Sequence, residues 1–195
     1  MYYVFLYLLF LTHQASVPPK VDGLGNYLIG VTTPESLDRG AFKEEDQIYA
    51  KGTLTLACPH IRVFNAPAVD IEGIRVCNLS VAFYDNQLFA ISCDYSPELM
   101  NAFVGKHGKG DHLSKISLSQ CATKHDKPLM IGGENWKSGD IQAVAVKMEG
   151  YTADCRQEEG TWLMIASQRI IALSSECELG SRKGWYDRLV DGQRP

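Results

Sequence analysis

A chain of 195 residues with 45% hydrophobic and 22% charged side chains holds enough apolar material for one ordinary core, which excludes a disordered polymer and a multi-span membrane protein. Nineteen basic against 23 acidic residues give a net charge of −4, and the only basic cluster is the short stretch from Lys106 to Lys109. Duplex nucleic acid is therefore no partner, since such binding needs many basic side chains gathered on one face. The six cysteines, Cys58, Cys77, Cys93, Cys121, Cys155 and Cys177, lie no closer than 16 residues apart, unlike the closely paired ligands of a structural zinc site.

Residues 1–11 (MYYVFLYLLFL) carry no charge. They are too few to span a bilayer, which takes roughly 20 apolar residues, but match the core of a secretory leader. Val17-Pro18-Pro19 stops any helix that follows. The sequence thus predicts a signal peptide over 1–16, a periplasmic or secreted mature chain, one domain over 20–191 and a polar tail over 192–195. No Lys or Arg precedes Lys20, and His13 is bulky for a cut after Ala15. A leader that stays attached and tethers the chain to a membrane is the competing expectation. In an oxidising compartment all six cysteines are disulfide candidates, and spacing alone does not pair them.

Residues 23–33 read as a short apolar strand, and Thr33-Pro34-Glu35 as a brief helix start, with Pro placed where its missing N–H costs nothing. Residues 43–47 read as a charged connector, 52–63 as a strand that Pro59 confines to an edge or bulge, and 65–70 as a loop. The clearest unit follows. Val76, Leu79, Val81 and Phe83 mark one arm of a β-hairpin, Asp85-Asn86 tolerates the turn's positive φ, and Leu88, Ala90 and Ile91 mark the other arm. Cys77 and Cys93 fall on the two arms, and a one-residue slip would set them opposite each other. Ser96-Pro97-Glu98 then starts a helix with a cap and an acidic first turn, Leu99, Met100, Phe103 and Val104 form its apolar stripe, and Gly108 stops it. Phe103 is the expected anchor of that helix. Segment 33–42 loosely echoes 96–103, which reads as reuse of capping chemistry. Residues 129–136 and 141–148 are expected strands around a turn at 137–140, with another turn at Glu149-Gly150. Residues 161–167 and 170–174 read as a hairpin or one bent strand, and 181–191 as a short helix. Together these predict an α+β fold, a single domain whose antiparallel sheet is built of hairpins with one or two short helices packed on it.

The string from Ile71 through Val81-Ala82-Phe83-Tyr84-Asp85-Asn86-Gln87-Leu88-Phe89-Ala90-Ile91 to the helix end Lys106-His107-Gly108-Lys109 resembles a diffuse set of exported bacterial proteins of unknown function. In those proteins a hairpin of the form v-x-F-y-D-x-k-L-x-x-I precedes a helix ending K-Y-G-K, and here His107 takes the place of the aromatic. The resemblance covers about 40 residues. It implies an antiparallel sheet with packed helices and a cell-envelope setting, and brings no catalytic residues.

For chemistry, the most polar stretch holds Lys106, His107, Lys109, Asp111 and His112 among glycines, a candidate anion-binding loop that lacks phosphate-loop spacing and follows a helix instead of preceding one. Its first reading is a solvated helix-ending loop. His107, His112, His125 and Asp126 lack the spacing of metal ligands. Cys58 with His60, and Cys121 with His125, place a thiol near an imidazole, as in a cysteine nucleophile. The acidic runs Glu44-Glu45-Asp46 and Glu158-Glu159 read as solvated turns, and Trp136, Trp162 and Trp185 as core. The expected function is an exported, non-enzymatic binding, inhibitor-like or accessory protein without cofactor, whose partner is another envelope or secreted macromolecule and which meets the membrane only through an uncleaved leader. Its rivals are a small cysteine-dependent hydrolase or transferase and a membrane-tethered structural subunit.

Overall fold

Two tight turns set the first half of the sheet. Glu72 and Gly73 have φ of 53° and 82°, and Asp85 and Asn86 have 48° and 63°, the left-handed pair that twists a two-residue hairpin correctly. They join β4 (Ile61–Ile71), β5 (Ile74–Tyr84) and β6 (Gln87–Cys93). This computed structural model describes residues 20–45, 60–119, 121, 123 and 127–174. The expected leader, the 181–191 helix, the polar tail, Cys58, Cys177, His125 and Trp185 lie outside those residues.

Ahead of β4 come β1 (Gly23–Leu24), β2 (Tyr27–Leu28) and β3 (Lys43–Glu45), and after β6 come α1 (Pro97–His107), β7 (Asp111–Ser119), β8 (Leu129–Ser138), β9 (Ile141–Tyr151) and β10 (Gln157–Ser167). β1 and β2 form a small hairpin, and the other strands make one sheet in the order β3-β4-β5-β6-β10-β9-β8-β7, antiparallel throughout. The sheet is two meanders that meet where β6 pairs with β10, with Leu163 opposite Cys93 and Ile165 opposite Ile91. The α+β class, with hairpins and short helices, holds.

The hydrophobic alternation decides which face is buried. Phe64, Ala66, Leu79, Val81, Phe83, Ile91, Leu163, Ile165, Ala143, Ala145 and Trp136 belong to one core under α1 and the β1–β2 hairpin. We call this the helix face. Ser96 Oγ accepts a bond from Leu99 N at 3.2 Å at the start of α1, and Gly108, at φ 75°, donates to the Val104 carbonyl at its end. Phe103 is buried, with its ring centroid 5.1 Å from Trp136 and 4.5 Å from His107. On the other face Ile61 and Phe89 form a smaller core with Val63, Ala82, Tyr84, Ala90, Ile170 and Ile171.

Several local expectations change. Residues 65–70 are strand, not loop, because the exposed Pro67 is skipped in the register: Ala66 pairs with Leu79 and Ala68 with Cys77, so no ladder donor is lost there. Lys43–Glu45 is strand β3, its Glu44 gripped by Arg62 at 2.7 and 2.9 Å. Residues 23–33 hold a hairpin in place of one strand, with Gly25 at φ 56°. Thr33-Pro34-Glu35 opens only a single 3-10 turn, Pro34–Ser36, and the Thr33 side chain makes no capping bond. β7 lies in a mainly polar stretch where no strand was expected. Glu149 and Gly150 continue β9, and Glu158 and Glu159 lie in β10, so neither pair is a turn. Residues 168–174 are helical instead of a strand. Asp140 imposes this: its carbonyl accepts from Gln168 N at 2.9 Å, and its carboxylate accepts from Arg169 N at 2.9 Å and from the Ser167 hydroxyl.

Candidate functional site

α1 covers only part of the helix face. Beyond its reach, a cross-strand row runs Thr161 on β10, Lys147 on β9 and Gly132 on β8, with the Lys115 side chain of β7 crossing at Gly132. The next rows are Glu159, Glu149 and Met130, then Gln157, Tyr151 and Pro128. Alternation puts Lys147 on the same face as the buried Ala143 and Ala145, so a charged side chain takes an inward parity where no helix covers it. Met130, Gly132, Lys147, Glu149 and Gln157, with Lys115, Lys127 and Tyr151, line a cleft of about 790 Å³. That volume lies within the roughly 300 to 1,000 Å³ of ordinary ligand sites.

The lining carries three lysines and one glutamate, a net of +2 in a chain of net −4. Lys147 Nζ meets Glu149 Oε2 at 3.0 Å, and that hydrogen bond holds the Lys147 ammonium above its ordinary pKa. Lys115 and Lys127 have no acidic partner among the described residues. Tyr95 stands at the border between core and cleft. Its carbonyl accepts the Thr161 hydroxyl at 2.6 Å, and burial raises its phenol pKa, with Lys147 opposing and Glu134 adding to the shift.

The rim is covalently tied. Cys121, fully buried after β7, is disulfide-bonded to Cys155 in the β9–β10 connection, with Cα atoms 4.9 Å apart. Cys155 takes φ 61°, a left-handed conformation uncommon outside glycine. The bridge joins the segment leading to Lys127 and Pro128 with the one between Tyr151 and Gln157, so both lips of the cleft are anchored at one point.

No protein-family model, no curated protein and no solved structure matches this chain.

The candidate loop is shorter than the sequence suggested. Lys106 and His107 belong to α1, and Asp111 and His112 to β7, leaving only Gly108, Lys109 and Gly110 between the elements. Those residues lie over Trp136: its indole Nε1 donates to the Gly108 carbonyl at 2.9 Å, and a Cβ on Gly110 would come 2.7 Å from the indole. His107 is buried against Phe103, against the expectation of a solvated histidine, while Lys106, Lys109, Asp111 and His112 are exposed. Trp136 is core as expected. Trp162 is half-exposed on the opposite sheet face, because its even position in β10 points away from Leu163 and Ile165.

Among the thiols, Cys121 is spent in the bridge and offers no nucleophile. Cys77 and Cys93 sit on neighbouring strands and are free thiols. A bulge does shift the hairpin register, but it falls on β6 at Leu88 and Phe89, so Cys93 moves toward Leu79 and away from Cys77. Burial, aided by Asp94, pushes the Cys93 thiol up to about 12, which keeps it a neutral core group. His60 Nδ1 lies 2.7 Å from Asp85 and its ring stacks on Tyr84. Among the described residues no three His, Cys, Asp or Glu side chains gather as metal ligands, and no helix is long and apolar enough to cross a membrane.

The three cleft lysines escaped the reading of the sequence. One signal was present: Lys147 continues the inward parity of Ala143 and Ala145, a position that an apolar residue would take if the helix reached it.

Proposed function

We propose that this chain is an exported, non-enzymatic binding protein, an accessory or inhibitor-like component of the cell envelope or secreted fraction, that takes a group of its target into the lysine-lined cleft. The observation that carries this reading is the cleft itself, open where α1 stops and tied at its rim by Cys121–Cys155. A disulfide supports an oxidising compartment, where such bonds persist. The uncharged run over 1–11 and the resemblance of the hairpin and helix to exported proteins favour the same setting.

The reading is tested by placing a photo-cross-linking residue at Met130 or at Tyr151, and at the exposed Lys137 as a control, in cells that make the protein. Adducts at both cleft positions and not at the control, found in the extracytoplasmic fraction, are the expected result. Equal capture at all three positions, or protein confined to the cytoplasm, overturns it.

A further inference from the structure

The row across the cleft has no side chain of its own at its middle position, Gly132. Gly132 pairs with Lys147 on β9, and Lys115 lies in the irregular stretch of β7 between Leu113, opposite Gly133, and Ile116, opposite Ile131. A Cβ on Gly132 would come 3.0 Å from Lys115 Cγ, which means that the Lys115 stem lies across the place a side chain would fill. Lysine stems are flexible and end in compact charges, so both ammonium groups reach a single guest held over Gly132. Lys127 adds a third charge from the lip. Among the described residues no arginine lines the cleft. Lysine meets phosphate as a point charge, and such charges arriving from several sides suit a tetrahedral anion. Met130, Pro128 and Tyr151 add apolar surface to the lining, beside the polar Gln157.

We propose that the slot over Gly132, between Lys115 and Lys147, binds the phosphate of a phosphomonoester whose apolar body lies against Met130, Pro128 and Tyr151. This rests on the reading that the cleft is the binding site. Glu149 is the counterweight: paired with Lys147 at 3.0 Å, it holds that ammonium beside the slot when the slot is empty and must share it when phosphate enters.

The test is a titration of the oxidised protein with hexyl phosphate, followed by amide NMR, with hexanoate and hexyltrimethylammonium as same-length controls. Saturable shifts at Lys115, Gly132, Gly133 and Lys147 are expected with the phosphate, weaker ones with hexanoate and none with the cation. Lys115→Glu and Lys147→Glu each weaken binding by at least about tenfold, the scale of one lost charge-assisted bond. Gly132→Val pushes the Lys115 stem aside and weakens binding as much, with amide shifts elsewhere at wild-type positions. Shifts scattered over exposed lysines, hexanoate binding as tight as hexyl phosphate, or undiminished binding in the Lys115→Glu variant overturns the proposal. Co-sedimentation with phosphatidylcholine vesicles, with and without phosphatidic acid, separates the sources: retention only with phosphatidic acid assigns the phosphate to a lipid head, and hexyl phosphate binding without retention assigns it to a soluble ester. Should cleft cross-links form while no phosphate binds, this inference falls and the cleft reading stands. Should neither occur, both fall.

Discussion

Phe103 is the side chain on which α1 depends. The helix has eleven residues, too few for stability alone in water, so its buried stripe must hold it, and Phe103 touches both Trp136 across the core and His107 one turn on. Phe103→Ala is expected to cost about 3 to 5 kcal/mol through lost burial and a residual cavity. His107→Ala is expected to cost about 1 to 3 kcal/mol, the range for a buried packed residue instead of a solvated one. Chemical denaturation of both variants checks this, and a His107→Ala midpoint equal to wild type would return that histidine to solvent. Phe103 was legible because helix periodicity at 99, 100, 103 and 104 has one reading. His107 was not, because the polar neighbours Lys106 and Lys109 mask a position that belongs to the same face as Phe103, four residues earlier, against whose ring it packs.

At the scale of elements, the 168–174 helical turns begin where Asp140 waits. Two bonds from Ser167 and Arg169 to the Asp140 carboxylate hold its pKa below the ordinary aspartate value. A carboxyl whose folded pKa is depressed contributes stability that is present above its unfolded pKa and is lost as pH falls through the folded one. Asp140→Asn is therefore expected to be less stable than wild type at neutral pH, with the difference shrinking as pH falls from about 4 toward 2. Urea unfolding of both proteins across that range measures it, and a difference independent of pH would remove the carboxylate from the account. The same elements explain what pattern reading reaches. The hairpins of β5 with β6 and β8 with β9 carry their turn chemistry at Asp85-Asn86 and Gly139, so both were visible. β4, β7 and the 168–174 turns were not, because each is fixed by a partner distant in sequence: Pro67 by the register with β5, polar β7 by β8, and the turns by Asp140 from the β8–β9 connection.

For the whole molecule, the Cys121–Cys155 bridge closes a loop spanning 34 positions that contains all of β8 and β9. On the chain-entropy account a loop of that size stabilises the fold by about 4 kcal/mol. Reduction, or paired Cys121→Ser and Cys155→Ser changes, is expected to lower the unfolding midpoint accordingly and to loosen the cleft rim. Calorimetry with and without reductant checks the first effect, and equal midpoints would strip the bridge of a stabilising role. The cleft lies beside this bridge and was invisible in sequence, because Lys115, Lys127 and Lys147 come from three segments that only the strand order brings together. That order also dictates timing. β10, the last described strand, is not at an edge but in the middle of the sheet, pairing with β6 on one side and β9 on the other. Until residue 167 is delivered, the first meander has an open flank and the second has no anchor, so the centre of the sheet closes only when nearly the whole chain is present. A nascent chain stopped short of β10 would therefore carry two half-sheets with bare edges at β6 and β9, each a template for pairing with another chain.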